Sequence, residues 1–249
     1  MLKKLCHAAA ILLIACLTAP AIASTAGRSD MEAKAARFFH YREWASAGAL
    51  YTVLIGDNPG ETLFYGRAIV AAGMLGDSTQ QMALTHTAMD AHIPVDSLFT
   101  SVERTSFSVG QTSLYEHYLL LTKAREPWLT RIVDGYLMRY YTYRRDPQGM
   151  IDYSLIMLSG NPSNESFLYT LAQGYLIAGR TDDAIATYLK IITLNPRAYE
   201  AMLYLANYYA LRAESDPLAR SEAISYFRMA QAEKATPFVE QALSRLEAL

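Results

Sequence analysis

The amino-acid sequence predicts an all-α protein, a solenoid of stacked antiparallel helix pairs with about 12–13 helices. Three observations carry this expectation. The dipeptide Asn-Pro recurs at Asn58-Pro59, Asn161-Pro162 and Asn195-Pro196. The last two stand one period of about 34 residues apart, and the first two are separated by three such periods and one residue more. Gly-Asp-Asn-Pro, Gly-Asp-Ser, Asp-Pro-Gln and Gly-Asn-Pro punctuate the chain, and such clusters end one helix and start the next. No sustained period-two stretch rich in Val, Ile and Thr marks a strand. A single helix pair is too thin to bury its own apolar face, so neighbours must share a continuous core, and about six pairs fit the length.

The amino terminus is expected to be a leader. Lys3 and Lys4 precede an apolar run from Ala8 to Leu17, Pro20 breaks it, and Ala21-Ile22-Ala23 offers small residues to a signal peptidase. The run is too short to span a bilayer as a helix. Residues 1–23 therefore read as a signal peptide, cut after Ala23. A second reading takes Leu13-Ile14-Ala15-Cys16 as a bacterial lipobox, with Cys16 lipidated and the chain membrane-anchored. On either reading the protein belongs to a bacterial-type envelope, periplasmic or secreted in the first. Cys6 and Cys16 are the only cysteines, so a chain beginning at Ser24 has no disulfide, thiol nucleophile or thiolate metal site. The whole chain carries 22 basic residues against 24 acidic ones, and loss of Lys3 and Lys4 makes it more acidic, a balance that suggests no nucleic-acid partner.

Residues 24–160 read as degenerate repeats and residues 161–249 as clear ones. Tyr51 and Leu54 fit the end of a second helix in a pair. Phe64 and Gly76 repeat, from Asn58, the offsets of Phe167 and Gly179 from Asn161. Met82, Met89 and Pro94 then fall one place late. Residues 95–125 show helical periodicity in Leu114, Tyr118, Leu119 and Leu121 without a repeat signature. A long helix is expected over 128–143, where Gly135-Tyr136-Leu137 parallels Gly174-Tyr175-Leu176. Over 237–249, Phe238, Ala242, Leu243, Leu246 and Leu249 share one side of an amphipathic helix, which caps the stack.

The segment 165–197 resembles the tetratricopeptide repeat family. Counting from Glu165, Leu168 is at four, Leu171 and Ala172 at seven and eight, Tyr175 at eleven and Gly179 at fifteen. Ala184 is at twenty, Tyr188 at twenty-four, Ile191 at twenty-seven, where the family prefers Ala, and Pro196 at thirty-two. The next unit starts at Tyr199. Leu205, Ala206 and Tyr209 fit its first helix and Ala223, Phe227 and Ala230 its second, after about five extra residues near Ala213. The resemblance implies a right-handed superhelix whose concave groove is lined by the first helix of each pair. Carried over, the groove positions are Ser166, Tyr169, Gln173, Leu176 and Ile177, then Glu200, Leu203, Asn207, Ala210 and Leu211. The family's lysine-rich clamp for acidic tails needs Lys where Tyr169 and Leu203 stand, so a helix or an extended apolar peptide is the expected ligand. An interaction scaffold of the cell envelope is the function implied. A lipid-anchored assembly factor of the envelope or outer membrane is one alternative.

No Gly-x-Ser-x-Gly elbow, phosphate loop or dinucleotide fingerprint is present, so no enzyme activity and no cofactor are expected. His86 and Asp90 share a helix face with His92 nearby, but a metal needs a further ligand and none is evident. Asp182-Asp183 reads as a helix start whose carboxylates cap free amides and suit the dipole. The cluster Arg139, Tyr140, Tyr141, Tyr143, Arg144 and Arg145 is a second candidate surface, since Tyr and Arg dominate binding hot spots. The same residues also suit gap filling and a helix end. A small-molecule site or enzyme in the 95–125 region is the remaining alternative. Partner identity and oligomeric state have no signature here.

Overall fold

The computed structural model describes residues 25–249; the expected leader, with Ala23 and Cys16, lies outside them. Among the described residues there are thirteen α-helices and no strand. The described residues part into two compact units, one reaching to Tyr118 and the other Leu119–Leu249. This division concerns packing, whereas the expected division at residue 160 concerns how regular the sequence is.

The first unit contains α1 (Thr25–His40), α2 (Trp44–Asp57), α3 (Thr62–Met74), α4 (Ser78–Asp90) and α5 (Val95–Ser108); the unit boundary falls inside α6 (Thr112–Arg125). Short joints make successive helices antiparallel. Aromatic side chains fill the gaps between them: Phe39, Tyr51 and Phe64 meet in turn at 6.1 and 6.0 Å, and Phe99 meets Tyr118 edge-on at 5.9 Å. The buried hydroxyls of Tyr51 and Tyr118 find partners. Arg67 Nη1 donates to the Tyr51 hydroxyl at 2.6 Å, and the Tyr118 and Thr85 hydroxyls lie 3.0 Å apart.

The second unit takes in the end of α6 and a 3-10 turn, Pro127–Leu129, and continues as α7 (Thr130–Arg144), α8 (Pro147–Gly160), α9 (Glu165–Ile177), α10 (Thr181–Leu194), α11 (Tyr199–Ala210), α12 (Pro217–Glu233) and α13 (Pro237–Glu247). Leu168, Leu171, Ala172, Tyr188, Ile191 and Leu205 form one buried cluster; Ala206, Phe227, Val239, Leu243 and Leu246 form the next. The small residues Ala172 and Ala184 are fully buried, as a close helix crossing requires. Ile191, larger than the residue the family prefers, is fully buried as well. α13 covers α12 through Val239, Leu243 and Leu246, while Phe238 stays more than half exposed.

The turns inside the helix pairs carry the period more faithfully than the side chains do. A left-handed residue ends the first helix of each of five pairs: Arg42, Gly76, Gly110, Arg145 and Gly179. Successive members stand one period of about 34 residues apart, except that Arg145 comes one residue late. Each closes a Schellman turn; after α9, for example, Gly179 N–H donates to Leu176 O at 3.1 Å and Arg180 N–H to Tyr175 O at 2.8 Å. The 95–125 region is thus a regular pair, α5 and α6, with Gly110 in register. The one extra residue falls between Gly110 and Arg145, where the 3-10 turn at Pro127 lies. With that turn, α7 starts at Thr130, two residues after the start of the long helix expected over 128–143.

The joints between pairs repeat too. Asn58, Asn161 and Asn195 all end a helix in an extended conformation, with φ of −142°, −148° and −133°. The N-caps vary. Asp77, Asp146, Asn164, Asp216 and Thr236 each accept from backbone amides of the helix they open. Asp182 and Asp183 do not cap α10. Arg180 occupies the cap position, and Asp183 instead accepts from its Nε at 2.7 Å, so only the dipole part of that expectation stands.

Candidate interaction groove

In the second unit α7, α9 and α11 run parallel, alternating with α8 and α10, so their equivalent faces form one surface. On α9 the groove positions run from Ser166 to Ile177, on α11 from Glu200 to Leu211. Tyr169, Leu176, Leu203 and Ala210 are half-buried; Ser166, Gln173, Ile177, Glu200, Asn207 and Leu211 are exposed. The half-buried members also serve the fold: Tyr169 and Leu176 pack on one core cluster and Leu203 on the next.

Tyr169 meets Tyr188 of α10 edge-on at 6.1 Å, and Tyr188 stacks on Tyr204 of α11 at 4.2 Å. Burial, then the neighbouring carboxylates of Glu165 and Glu200, raise the Tyr169 hydroxyl above the usual tyrosine range, although a hydrogen bond with the Ala201 backbone opposes them. Burial and the adjoining Tyr204 and Tyr169 push Tyr188 up to about 12. Both phenols are neutral donors and acceptors at physiological pH. Asn207 turns back on its own helix, its Nδ2 donating to Leu203 O at 2.8 Å.

The carboxyl ends of the helices differ from their starts. A recess of about 410 Å³ lies there, lined by Thr142, Arg145 and Met150 together with Gln173, Leu176 and Ile177. Three of these residues are polar, Thr142, Arg145 and Gln173, and three are apolar. Thr142 is already committed, donating to Met138 O at 2.8 Å. Beyond α11, Leu211 is 87% exposed, and the Arg212 guanidinium lies 3.9 Å from the centre of the Tyr208 ring. Carboxylates stand near the helix starts, at Glu165 and Glu200, as the helix dipole favours.

The second candidate surface divides. Tyr140 is 3% exposed and belongs to the core, which corrects the expectation that it lies on a surface. Tyr141 stacks on Tyr153 of α8 at 5.4 Å, above Gly149, where any Cβ would strike the Tyr141 ring. Tyr143 is 64% exposed, Arg139 and Arg144 are exposed, and Arg139 lies 4.6 Å from the centre of the Tyr136 ring. Arg145, Thr142 and Met150 join the groove at its recess. Arg145 sits one residue off the glycine register, and only that slip in the period could have flagged it.

In the first unit a shallower recess of about 450 Å³ lies between α3 and α5. Thr62, Ser97, Thr100 and Ser101 supply hydroxyls, with Asp96 and Arg104 beside them. Among the described residues no three His, Cys, Asp or Glu side chains gather where a metal ion could be held. No helix among them is long and apolar enough to cross a membrane.

No family model matches the chain, and no curated protein matches its sequence. Solved structures do match in fold. A candidate protein-binding protein from Bacteroides ovatus is 16% identical, with a TM-score of 0.51 over 76% of this chain and 97% of that one. The C-terminal part of a TPR repeat-containing protein from Cytophaga hutchinsonii is 15% identical, with a TM-score of 0.42 over 85% and 98%. A tetratricopeptide repeat protein from Parabacteroides merdae is 12% identical, with a TM-score of 0.38 over 88% and 98%. In fold the chain is an all-α protein of stacked antiparallel helix pairs.

Proposed function

We propose that this protein is an interaction scaffold that holds a protein or peptide partner along the α7–α9–α11 face of its second unit. One observation carries the reading: Ile177 and Leu211 stand exposed at the groove positions, beside half-buried Tyr169, Leu176 and Leu203. Large apolar side chains that the core leaves uncovered on one face are what a partner buries. The tetratricopeptide-type fold supports it, because stacked repeats present extended binding surfaces. The mechanism is a preformed surface, without bond chemistry.

A photo-crosslinking residue at Gln173, in the cell of origin, tests the proposal. One defined protein adduct is expected there and none from the same residue at exposed Lys190 on α10. Identical adducts from both positions, or none from Gln173, would count against it.

We also propose that the scaffold works in the cell envelope. The supports are Lys3 and Lys4, the apolar run and Ala21-Ile22-Ala23. Intact mass of the protein from its own cells separates a chain starting at Ser24 from one starting at a lipid-modified Cys16. A chain that retains Met1 would refute export by either route.

A second reading has one observation in its favour. The recess between α3 and α5 sets Asp96, Arg104 and several hydroxyls beside Leu63 in a largely apolar lining, which suits a small ligand with one polar end. Thermal shifts from a panel of polar metabolites, lost in Arg104→Ala, would establish it; no shift from any of them would remove it.

A further inference from the structure

The recess between α3 and α5 has a closed floor. The two helices are in direct contact, and Gly66 lets them meet: a Cβ there would strike the Ser101 hydroxyl. Ser101 also donates across the gap to Thr62 O at 3.2 Å. One face of α5 forms the wall, with Asp96 and Ser97, Thr100 and Ser101, then Arg104 and Thr105 on successive turns.

Two threonines on that wall depart from the rest of the chain. Mid-helix threonines such as Thr52, Thr85, Thr142 and Thr187 return their hydroxyls to the carbonyl one turn back. Among the described residues Thr100 and Thr105 make no such bond, although Asp96 O and Ser101 O stand at the same offset. Thr105 is 6% exposed, and it lines the recess. A hydroxyl so buried, with no partner in the protein, is costly unless a group from outside the chain meets it. Arg104 precedes it directly. Arg104 is exposed and makes no ion pair among the described residues. Asp96, about 12 Å away along the helix axis, already has an interaction of its own.

Building on the reading of this recess as a ligand site, we infer that it takes a small molecule with a single oxyanion head, a carboxylate or a phosphate monoester, and an apolar body. The head sits on the Arg104 guanidinium, whose forked N–H donors match two oxygens of such a group. The Thr100 and Thr105 hydroxyls, one turn before and directly after Arg104, donate to the same head. The body lies towards Leu63, at the helix starts. Asp96 stands at that far end and repels a second anion, so the ligand carries its charge at one end only. A volume of about 450 Å³ is enough for such a molecule.

Isothermal titration of the protein, as its cells process it, with hexanoate, phenylpropionate and phenyl phosphate tests this; hexylamine is the control of opposite charge. At least one anion should bind, and hexylamine should not. Binding by the carboxylates alone, or by the phosphate alone, identifies the head. Arg104→Gln should weaken the bound anion about tenfold or more. Thr105→Val should weaken it about threefold or more, yet leave the melting temperature of the free protein unchanged or higher, because it removes a buried hydroxyl that has no partner there. Hexylamine binding as tightly as the anions, or anion binding that survives Arg104→Gln, would overturn the oxyanion head and leave the recess standing as a site. No binding by any of these probes would overturn the inference as well, and shifts from the wider metabolite panel would then decide the recess separately.

Discussion

Arg42, His92 and Arg145 hold the left-handed conformation that glycine adopts at Gly76, Gly110 and Gly179. For a residue with a Cβ that conformation costs about 1–2 kcal/mol. Arg145→Gly should therefore raise stability by about 1 kcal/mol in urea denaturation, after the entropy glycine adds to the unfolded chain. Gly179→Ala should lower it by at least as much. No gain from Arg145→Gly beside a loss from Gly179→Ala would show that contacts of Arg145 offset the cost of its conformation. Tyr188 offers a second check. Its folded pKa lies above its unfolded one, so the folded state holds the proton longer and stability falls as pH rises. The loss, on the order of 2 kcal/mol, should fall between about pH 10 and pH 12, and Tyr188→Phe should flatten that part of the stability profile. Gly110 stands one full period after Gly76 but was missed, because the side chains around it lack the repeat signature. The left-handed arginines were not legible, because nothing in an arginine's identity reports φ. Nor did any pattern mark Asp134, which is 3% exposed and paired with Lys123 Nζ at 2.5 Å.

Helix types and joints were largely readable, because Asn-Pro, Gly and Asp act through local backbone chemistry. The start of α7 departs from its periodicity through the 3-10 turn Pro127–Leu129, which no pattern marked. The groove was readable only where the repeat is regular, on α9 and α11; its α7 wall sits behind the one-residue slip. The capping helix rests on tertiary burial, and this makes a quantitative expectation possible. Leu243→Ala should cost about 2–4 kcal/mol, since Leu243 is 6% exposed and α13 has few other anchors. Asp216→Ala, which removes the acceptor of the Leu218 and Ala219 amides, should cost about 1 kcal/mol and fray the start of α12. Denaturation midpoints measure both, and amide exchange at Leu218 and Ala219 localises the second. A Leu243 loss below that for Asp216 would mean that α13 is not a cap.

At the scale of the whole chain, two compact units built from neighbour contacts respond to damage locally. Leu205→Ala, in the core of the second unit, should speed amide exchange across α9 to α12 while α1 to α4 keep their protection. Uniform acceleration along the chain would instead require one cooperative block. The joints at Asn161 and Asn195 have a consequence for growth of the molecule. They carry the same extended turn, and the segment between them contains one complete pair, α9 and α10. A tandem copy of residues 161–194 therefore begins and ends on interchangeable ends. Gene duplication could lengthen this protein by one link without new connecting sequence, and a chain so lengthened should gain helical signal in proportion to the pair it has added.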